Sequence, residues 1–86
     1  AGAFPVGSVV ELNSGESGIV IAQNPGQQLK PTVVVVREAD GRPVRSPRIL
    51  FLDEDPKARS GERYRIRRTL EQSRLKFDPR ALFRSG

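Results

Sequence analysis

Arginine carries the most recognisable binding chemistry in this chain. Four of these residues lie close together near the C-terminal end: Arg63, Arg65, Arg67 and Arg68. A guanidinium group can hold two oxygens of a phosphate or carboxylate at once in a fixed plane. Apolar and polar residues alternate over 62–70, which predicts a half-buried strand with the first three arginines on its solvent face. We call these four residues the arginine row, and it is our first candidate for binding an anion or a partner.

A second group of arginines comes earlier in the chain, at Arg42, Arg45 and Arg48. These residues extend the arginine row into a larger patch if the ribbon that carries them lies beside it. Positive charge is concentrated toward the C-terminus. Residues 57–86 hold ten basic and three acidic side chains, whereas residues 1–56 hold five basic and seven acidic ones. Such asymmetry suits an anionic partner. The plainer interpretation of the arginine row, which we prefer, is an exposed edge strand whose charges prevent pairing with another chain.

Catalytic and metal chemistry have little support in the sequence. The chain has no histidine and no cysteine, so the usual general base and the usual zinc ligands are missing. Asp53, Glu54 and Asp55 form a carboxylate cluster, but they lack the spacing of a calcium loop and precede a proline like a loop cap. A serine nucleophile would have no histidine to activate it. We therefore predict a non-catalytic chain with no metal and no cofactor.

Short β-branched segments separated by Gly, Pro and Asn turns predict the strands that would position these residues. We place them at residues 8–13, 19–23, 32–37, 48–52 and 62–70, with a short partner around Val44. Residues 14–18 are predicted to be a glycine-rich turn. Four consecutive valines at 33–36 predict a central strand covered on both faces. Pro43 and Pro47 limit the partner strand to a sheet edge or a broken strand, and Phe51 and Tyr64 are predicted core side chains.

These elements predict a mainly β fold, either a small antiparallel five-stranded barrel or a curled sheet, with a short C-terminal helix. Asp78 followed by Pro79 resembles the start of that helix. The 86 residues are expected to form one domain from a longer protein. Residues 1–3 are interpreted as a cloning or cleavage remnant and residues 76–86 as a tail. The longest apolar run is four valines, too short to span a membrane, and the lack of cysteine suits the cytoplasm.

Several short motifs together resemble the region that follows the helical catalytic domain in HD-GYP proteins, which are bacterial cyclic di-GMP phosphodiesterases. The motifs are FPVGSVVEL at 4–12, GIVI at 18–21, NPG at 24–26 and KPTVV at 30–34, followed by DGRP at 40–43, ILFL at 49–52 and DPRALF at 78–83. The likeness covers most of the chain. It implies a parent protein of the metal-dependent HD phosphohydrolase superfamily.

The resemblance also limits what this chain can do. The His-Asp and Gly-Tyr-Pro elements of the HD-GYP catalytic signature do not occur in the sequence, so no catalytic residue can be carried over. What the resemblance implies is an accessory module at the C-terminal end of the enzyme, with a docking or regulatory role. The expected partner is the catalytic HD-type domain of the same protein or a second subunit, in the cytoplasm.

Three alternatives stay open. The segment from Val6 to Val20 also resembles the KOW-type strand–loop–strand of ribosomal and transcription proteins, which would make the chain a nucleic-acid-binding module. The arginine row offers Arg63, Arg65 and Arg67 for direct binding of a cyclic dinucleotide. A PilZ-like sensor would need the spacing that Arg63 and Arg67 provide, but its second element, Asp/Asn-x-Ser-x-x-Gly, is absent from the sequence.

Overall fold

A computed structural model describes residues 3–71 of the chain. The described part contains five β-strands and a single-turn 3-10 helix over Leu52–Glu54: β1 (Val9–Leu12), β2 (Ser17–Ala22), β3 (Thr32–Arg37), β4 (Pro43–Phe51) and β5 (Ile66–Leu70). Valine and isoleucine dominate β2 and β3, as expected for strands covered by other side chains. The predicted C-terminal helix and the tail at 76–86 lie outside the described residues.

The five strands form one antiparallel sheet in the order β4-β3-β2-β1-β5. β4 and β5 lie at its two edges and are not paired with each other, so the sheet is open. This confirms the prediction of a mainly β, five-stranded antiparallel fold, in the form of a curled sheet and not a closed barrel. No helix within residues 3–71 is long and apolar enough to cross a membrane.

A buried carboxylate brings the two edges of the sheet toward each other. Glu16, which lies just before β2, accepts a hydrogen bond from Arg48 of β4 and another from Tyr64, two residues before β5. Because β4 and β5 are at opposite ends of the strand order, these two contacts join distant parts of the sheet. They curl it around the apolar side chains of one face, which we call the inner face.

Two apolar clusters lie on the two faces of the sheet. The inner cluster contains Val10, Leu12, Val20, Val33, Val35 and Leu52. The outer cluster contains Val9, Ile19, Val34 and Val36. Successive side chains of a strand point to opposite faces, so β3 supplies two valines to each cluster. The prediction that this strand is central and covered on both faces is confirmed.

β4 is irregular around its prolines. The two predicted segments belong to one strand, which spans Pro43 to Phe51 and includes Pro47. A proline cannot donate a hydrogen bond to a neighbouring strand, but an edge strand has one side that needs no such donor. The register with β3 shifts between Val35 and Arg37, so the irregularity falls in the part of β4 that contains both prolines. The prediction that the prolines limit this segment to a sheet edge or a broken strand is therefore confirmed, because β4 lies at the edge and its pairing with β3 is interrupted between Pro43 and Arg48.

β5 is shorter than the predicted strand at 62–70, because the backbone before Ile66 is bonded elsewhere. The Tyr64 N–H donates to the Pro56 carbonyl at 2.8 Å, and the Arg65 N–H donates to Oδ1 of Asn13 at 2.9 Å. The Arg65 carbonyl accepts from the Asn13 N–H at 2.9 Å. These bonds replace the regular ladder to β1 before Ile66. The predicted alternation still holds in the burial of the side chains, because Tyr64 and Ile66 are half-buried against the inner cluster, whereas Arg63, Arg65 and Arg67 are exposed.

The turn between β1 and β2 needs only one of its two glycines. Gly15 has a φ of +91°, a conformation that glycine adopts without steric cost. Gly18 was predicted to belong to the same turn, but it lies within β2, and its place is set by close packing against β3. A Cβ atom at Gly18 would lie 2.5 Å from the Val34 carbonyl oxygen and 2.6 Å from Cγ1 of Val33. Glycine is therefore required here for space and not for turn geometry.

Candidate partner-binding surface

Two members of the arginine row converge on one carboxylate. The register between β1 and β5 shifts next to Glu11, so that Glu11 pairs with Arg68 and Leu12 pairs with Ile66, leaving Arg67 as an extra residue. Both arginines reach Glu11: Nε of Arg68 lies 3.2 Å from Oε2, and Nη1 of Arg67 lies 3.3 Å from the same oxygen. The Arg68 hydrogen bond, joined by the charge of both arginines, lowers the pKa of Glu11 below its ordinary value of 4.5.

The other predicted site arginines fall into two groups. Arg42, Arg48 and Arg63 have acidic neighbours: Arg42 pairs with Asp40 at 2.9 Å, Arg48 pairs with Glu16, and Arg63 lies 3.9 Å from Asp55. Arg45 and Arg65 are exposed, and within residues 3–71 their side chains form no ion pair or hydrogen bond. Carboxylates of the chain therefore occupy several of the seven arginines, and Arg45 and Arg65 are the freest of them to bind an outside anion.

Glu16 is the most enclosed acidic residue of the described part of the chain, and its side chain is 10% exposed. Its carboxylate accepts hydrogen bonds from the Tyr64 hydroxyl and the Ser14 hydroxyl, each at 2.7 Å, and from Arg48. Burial opposes the charge, but these hydrogen bonds outweigh it, so the pKa of Glu16 lies below its ordinary value of 4.5. We infer that Arg48 serves mainly to hold the curl of the sheet.

A pH titration tests this role of Glu16. Because the folded pKa is lower than the unfolded one, the charged carboxylate contributes stability above pH 4.5, and that contribution is lost as the pH falls through the folded pKa. Replacing Glu16 with glutamine should cost about 1–3 kcal/mol of unfolding free energy at pH 7. The deficit should shrink at pH 3, as measured by urea unfolding at both pH values.

The matched control for this measurement is Glu62→Gln, which makes the same chemical change at an exposed position. Its stability should follow that of the wild type at both pH values. Glu11, Asp40 and Asp55 also have lowered pKa values and are present in every variant, so only the difference between wild type and variant is informative. An equal deficit for Glu16→Gln at pH 7 and pH 3 would show that its charge does not stabilise the fold.

The outer face of β4 presents two large apolar side chains to solvent. Ile49 is 54% exposed and Phe51 is 49% exposed, and we call this pair the β4 patch. Ile49 pairs with Val34, which is only 5% exposed, so the patch continues the outer cluster toward the sheet edge. The prediction that Phe51 is a core residue is wrong, because it alternates with the inward-facing Leu50 and Leu52. Tyr64 does pack against the inner cluster.

Sequence reasoning missed the β4 patch, although a signal was present. Strict alternation over 48–52 assigns Ile49 and Phe51 to one face and Leu50 and Leu52 to the other. Both faces are apolar, so periodicity gave no reason to choose which one is covered. The buried position of Leu52 in the 3-10 turn determines which face of β4 is covered, because this side chain closes the inner cluster.

The comparison with protein families gives a match over most of the sheet. The model of a family described as "KOW domain associated with HD domain" matches residues 9–58. This span is more than half of the chain and contains β1 to β4 with the 3-10 turn, including the β4 patch, but it ends before Arg63 and Arg65. Searches of the curated proteins and of the solved structures found no match. The matching family combines the two resemblances that the sequence offered as alternatives.

Proposed function

Because the chain belongs to the family of KOW domains associated with HD domains, and is thus an accessory region of an HD-domain protein, we propose that it is a non-catalytic docking module. Its partner is the catalytic HD-type domain of the same protein or of a second subunit. The family match carries this proposal, since it associates the chain with an HD domain and covers the strand that bears the β4 patch.

The β4 patch is suited to contact between folded domains. Burying apolar surface contributes about 25 cal/mol per Å², and Ile49 and Phe51 are large side chains that stand half-exposed beside an already buried Val34. Pro47 interrupts the row of backbone donors along β4, which disfavours the addition of another strand to this edge. A partner would therefore pack on the outer face of β4. Arg45, on the same strand, would meet an acidic group of the partner.

We extend the proposal to the parent protein. The motifs shared with the region after the HD-GYP catalytic domain support a cytoplasmic bacterial phosphodiesterase that hydrolyses cyclic di-GMP, with residues 1–86 as one of its modules. The exposed arginines would then contribute to docking, with Arg42 at the start of the β4 hairpin and Arg45 within β4. Docking would regulate the catalytic domain by fixing its position or its access to substrate.

Isothermal titration calorimetry of the chain with its separate HD domain tests the docking proposal. Replacing Ile49 with aspartate places a charge in the contact and should weaken binding about tenfold or more. Val6→Asp is the matched control, because Val6 is also an exposed apolar residue, 62% accessible, but lies outside the β4 patch. It should bind like the wild type. Absence of binding by the wild-type chain, or equal binding by both variants, would contradict docking through β4.

A further inference from the structure

A cleft with mixed apolar and cationic walls lies beside the inner cluster, and neither residue of the β4 patch lines it. Its volume is about 340 Å³, which is within the range of small-molecule sites, about 300–1,000 Å³. It opens between the N-terminal segment, the loop that precedes β3 and the segment that precedes β5. Its apolar walls are Phe4, Leu29, Tyr64 and Ile66, and its charged groups are Lys30, Asp55, Arg63 and Arg65.

The charged groups leave this cleft with an excess of positive charge. Three cations and one carboxylate line it, for a net charge of +2. Asp55 pairs with Lys30 at 2.7 Å and lies 3.9 Å from Arg63, and it adopts a left-handed backbone conformation with a φ of 53° at the end of the 3-10 turn. The Arg65 side chain has no such partner within the described part of the chain. It is therefore available to an incoming anion.

The apolar walls indicate what else the ligand must carry. Phe4, Tyr64 and Ile66 are half-buried and pack against the inner cluster, so their positions are fixed before a ligand binds. Leu29 is 68% exposed and would gain most from being covered. The Tyr64 hydroxyl already donates to Glu16, which leaves the tyrosine ring as an apolar surface in the cleft. A flat ring can stack on such surfaces without base-specific hydrogen bonds.

We propose that this cleft binds a nucleoside phosphate, with the phosphate at Arg65 and Arg63 and the base against the aromatic walls. A phosphate monoester carries about −1.5 to −2 charges at pH 7, which matches the excess charge of the cleft. Because stacking on a ring does not distinguish one base from another, the cleft discriminates little between bases. This inference rests on residues largely outside the span matched by the family model and does not depend on docking through β4.

The test is an NMR titration of the labelled chain with adenosine and guanosine 5′-monophosphate. Amide shifts are expected at Phe4, Leu29, Arg63 and Arg65, with similar affinities for the two nucleotides. Adenosine alone and inorganic phosphate should each bind about tenfold more weakly, because each makes only half of the contacts. No shift in the cleft at millimolar nucleotide, or equal binding of inorganic phosphate, would overturn the proposal.

Two substitutions with opposite expected signs sharpen the test. Arg65→Ala should weaken nucleotide binding about tenfold. Asp55→Asn should tighten it about fivefold, because it releases Lys30 and Arg63 and raises the net charge to +3, and asparagine tolerates the left-handed conformation. Arg59→Ala removes an exposed arginine that does not line the cleft and should change nothing. Equal affinities for Arg65→Ala and Arg59→Ala would overturn the proposal.

A final comparison separates a free nucleotide from one within a nucleic acid strand. A single-stranded tetranucleotide is titrated beside the mononucleotide at several salt concentrations. If the ligand is free, both bind with similar affinity and similar weak salt dependence. If the ligand is part of a strand, the tetranucleotide binds more tightly and its affinity falls more steeply with salt, because additional phosphates release counterions. Either result supports nucleoside phosphate binding. If the amides of the cleft residues shift with neither ligand, the proposal is contradicted.

Discussion

Replacing Gly18 with alanine is expected to destabilise the fold by about 3 kcal/mol, as is typical when extra volume is forced into a well-packed core. The added Cβ atom would lie 2.5 Å from the Val34 carbonyl oxygen and 2.6 Å from Cγ1 of Val33. The oxygen belongs to the backbone of β3, the strand that contributes to both apolar clusters, so relief requires β2 and β3 to move apart. Small domains have a total stability of about 5–15 kcal/mol, so this loss is large.

Urea unfolding and thermal melting measure this effect. A loss of about 3 kcal/mol corresponds to a fall of roughly 10–20 °C in melting temperature for a domain of this size. Gly26→Ala is the matched control, because the nearest atom to its added Cβ is Asn24 Oδ1 at 3.6 Å. It should leave the stability unchanged or raise it slightly. If both variants have the melting temperature of the wild type, the close approach of β2 and β3 does not determine stability.

Leu52→Ala is the second substitution with a large expected effect, a loss of about 2–5 kcal/mol. Leu52 is 1% exposed and belongs to the inner cluster, although it lies in the 3-10 turn after β4 and not in a central strand. It therefore covers the inner face of the sheet. Its truncation leaves a cavity between Val33, Val35 and the turn that the short connection cannot collapse to fill.

The control for Leu52 is Leu29→Ala, the same chemical change at a side chain that is 68% exposed. It should alter the unfolding free energy by less than about 0.5 kcal/mol. Both variants are compared by urea unfolding, and one m-value, the dependence of the unfolding free energy on urea concentration, is fitted to all curves. A small loss for Leu52→Ala, close to that of Leu29→Ala, would mean that the inner cluster is closed by other side chains.

The strands of this fold were largely predictable because their signals are local. The valines of β3 and the alternation in β1 and β2 depend only on neighbouring residues, and those strands lie where the sequence indicated. The joining of the two predicted segments into β4 depends on which strand lies at a sheet edge. The late start of β5 depends on the hydrogen bonds between Asn13 and Arg65. Such information comes from residues far apart in the chain.

The candidate site was less predictable, for a related reason. Sequence reasoning identified arginines as the binding chemistry, but it could not see that Glu16 and Glu11 bind Arg48, Arg67 and Arg68. Glu16 and Arg48 are 32 residues apart in the chain. Nor could it show that Arg63 and Arg65 share a cleft with Phe4 and Leu29. The proposal that arginines bind an anion stays a prediction, now concentrated on Arg63 and Arg65.

Hydrogen exchange in the HD-domain protein tests docking through β4 most directly. Exchange of the segment 43–51 is measured in the isolated chain and in the protein that contains both domains, with the loop at 24–30 as internal reference. We expect the exchange of 43–51 to slow about tenfold or more in the two-domain protein, while the loop is unchanged. Equal exchange of 43–51 in both proteins would contradict docking through this strand.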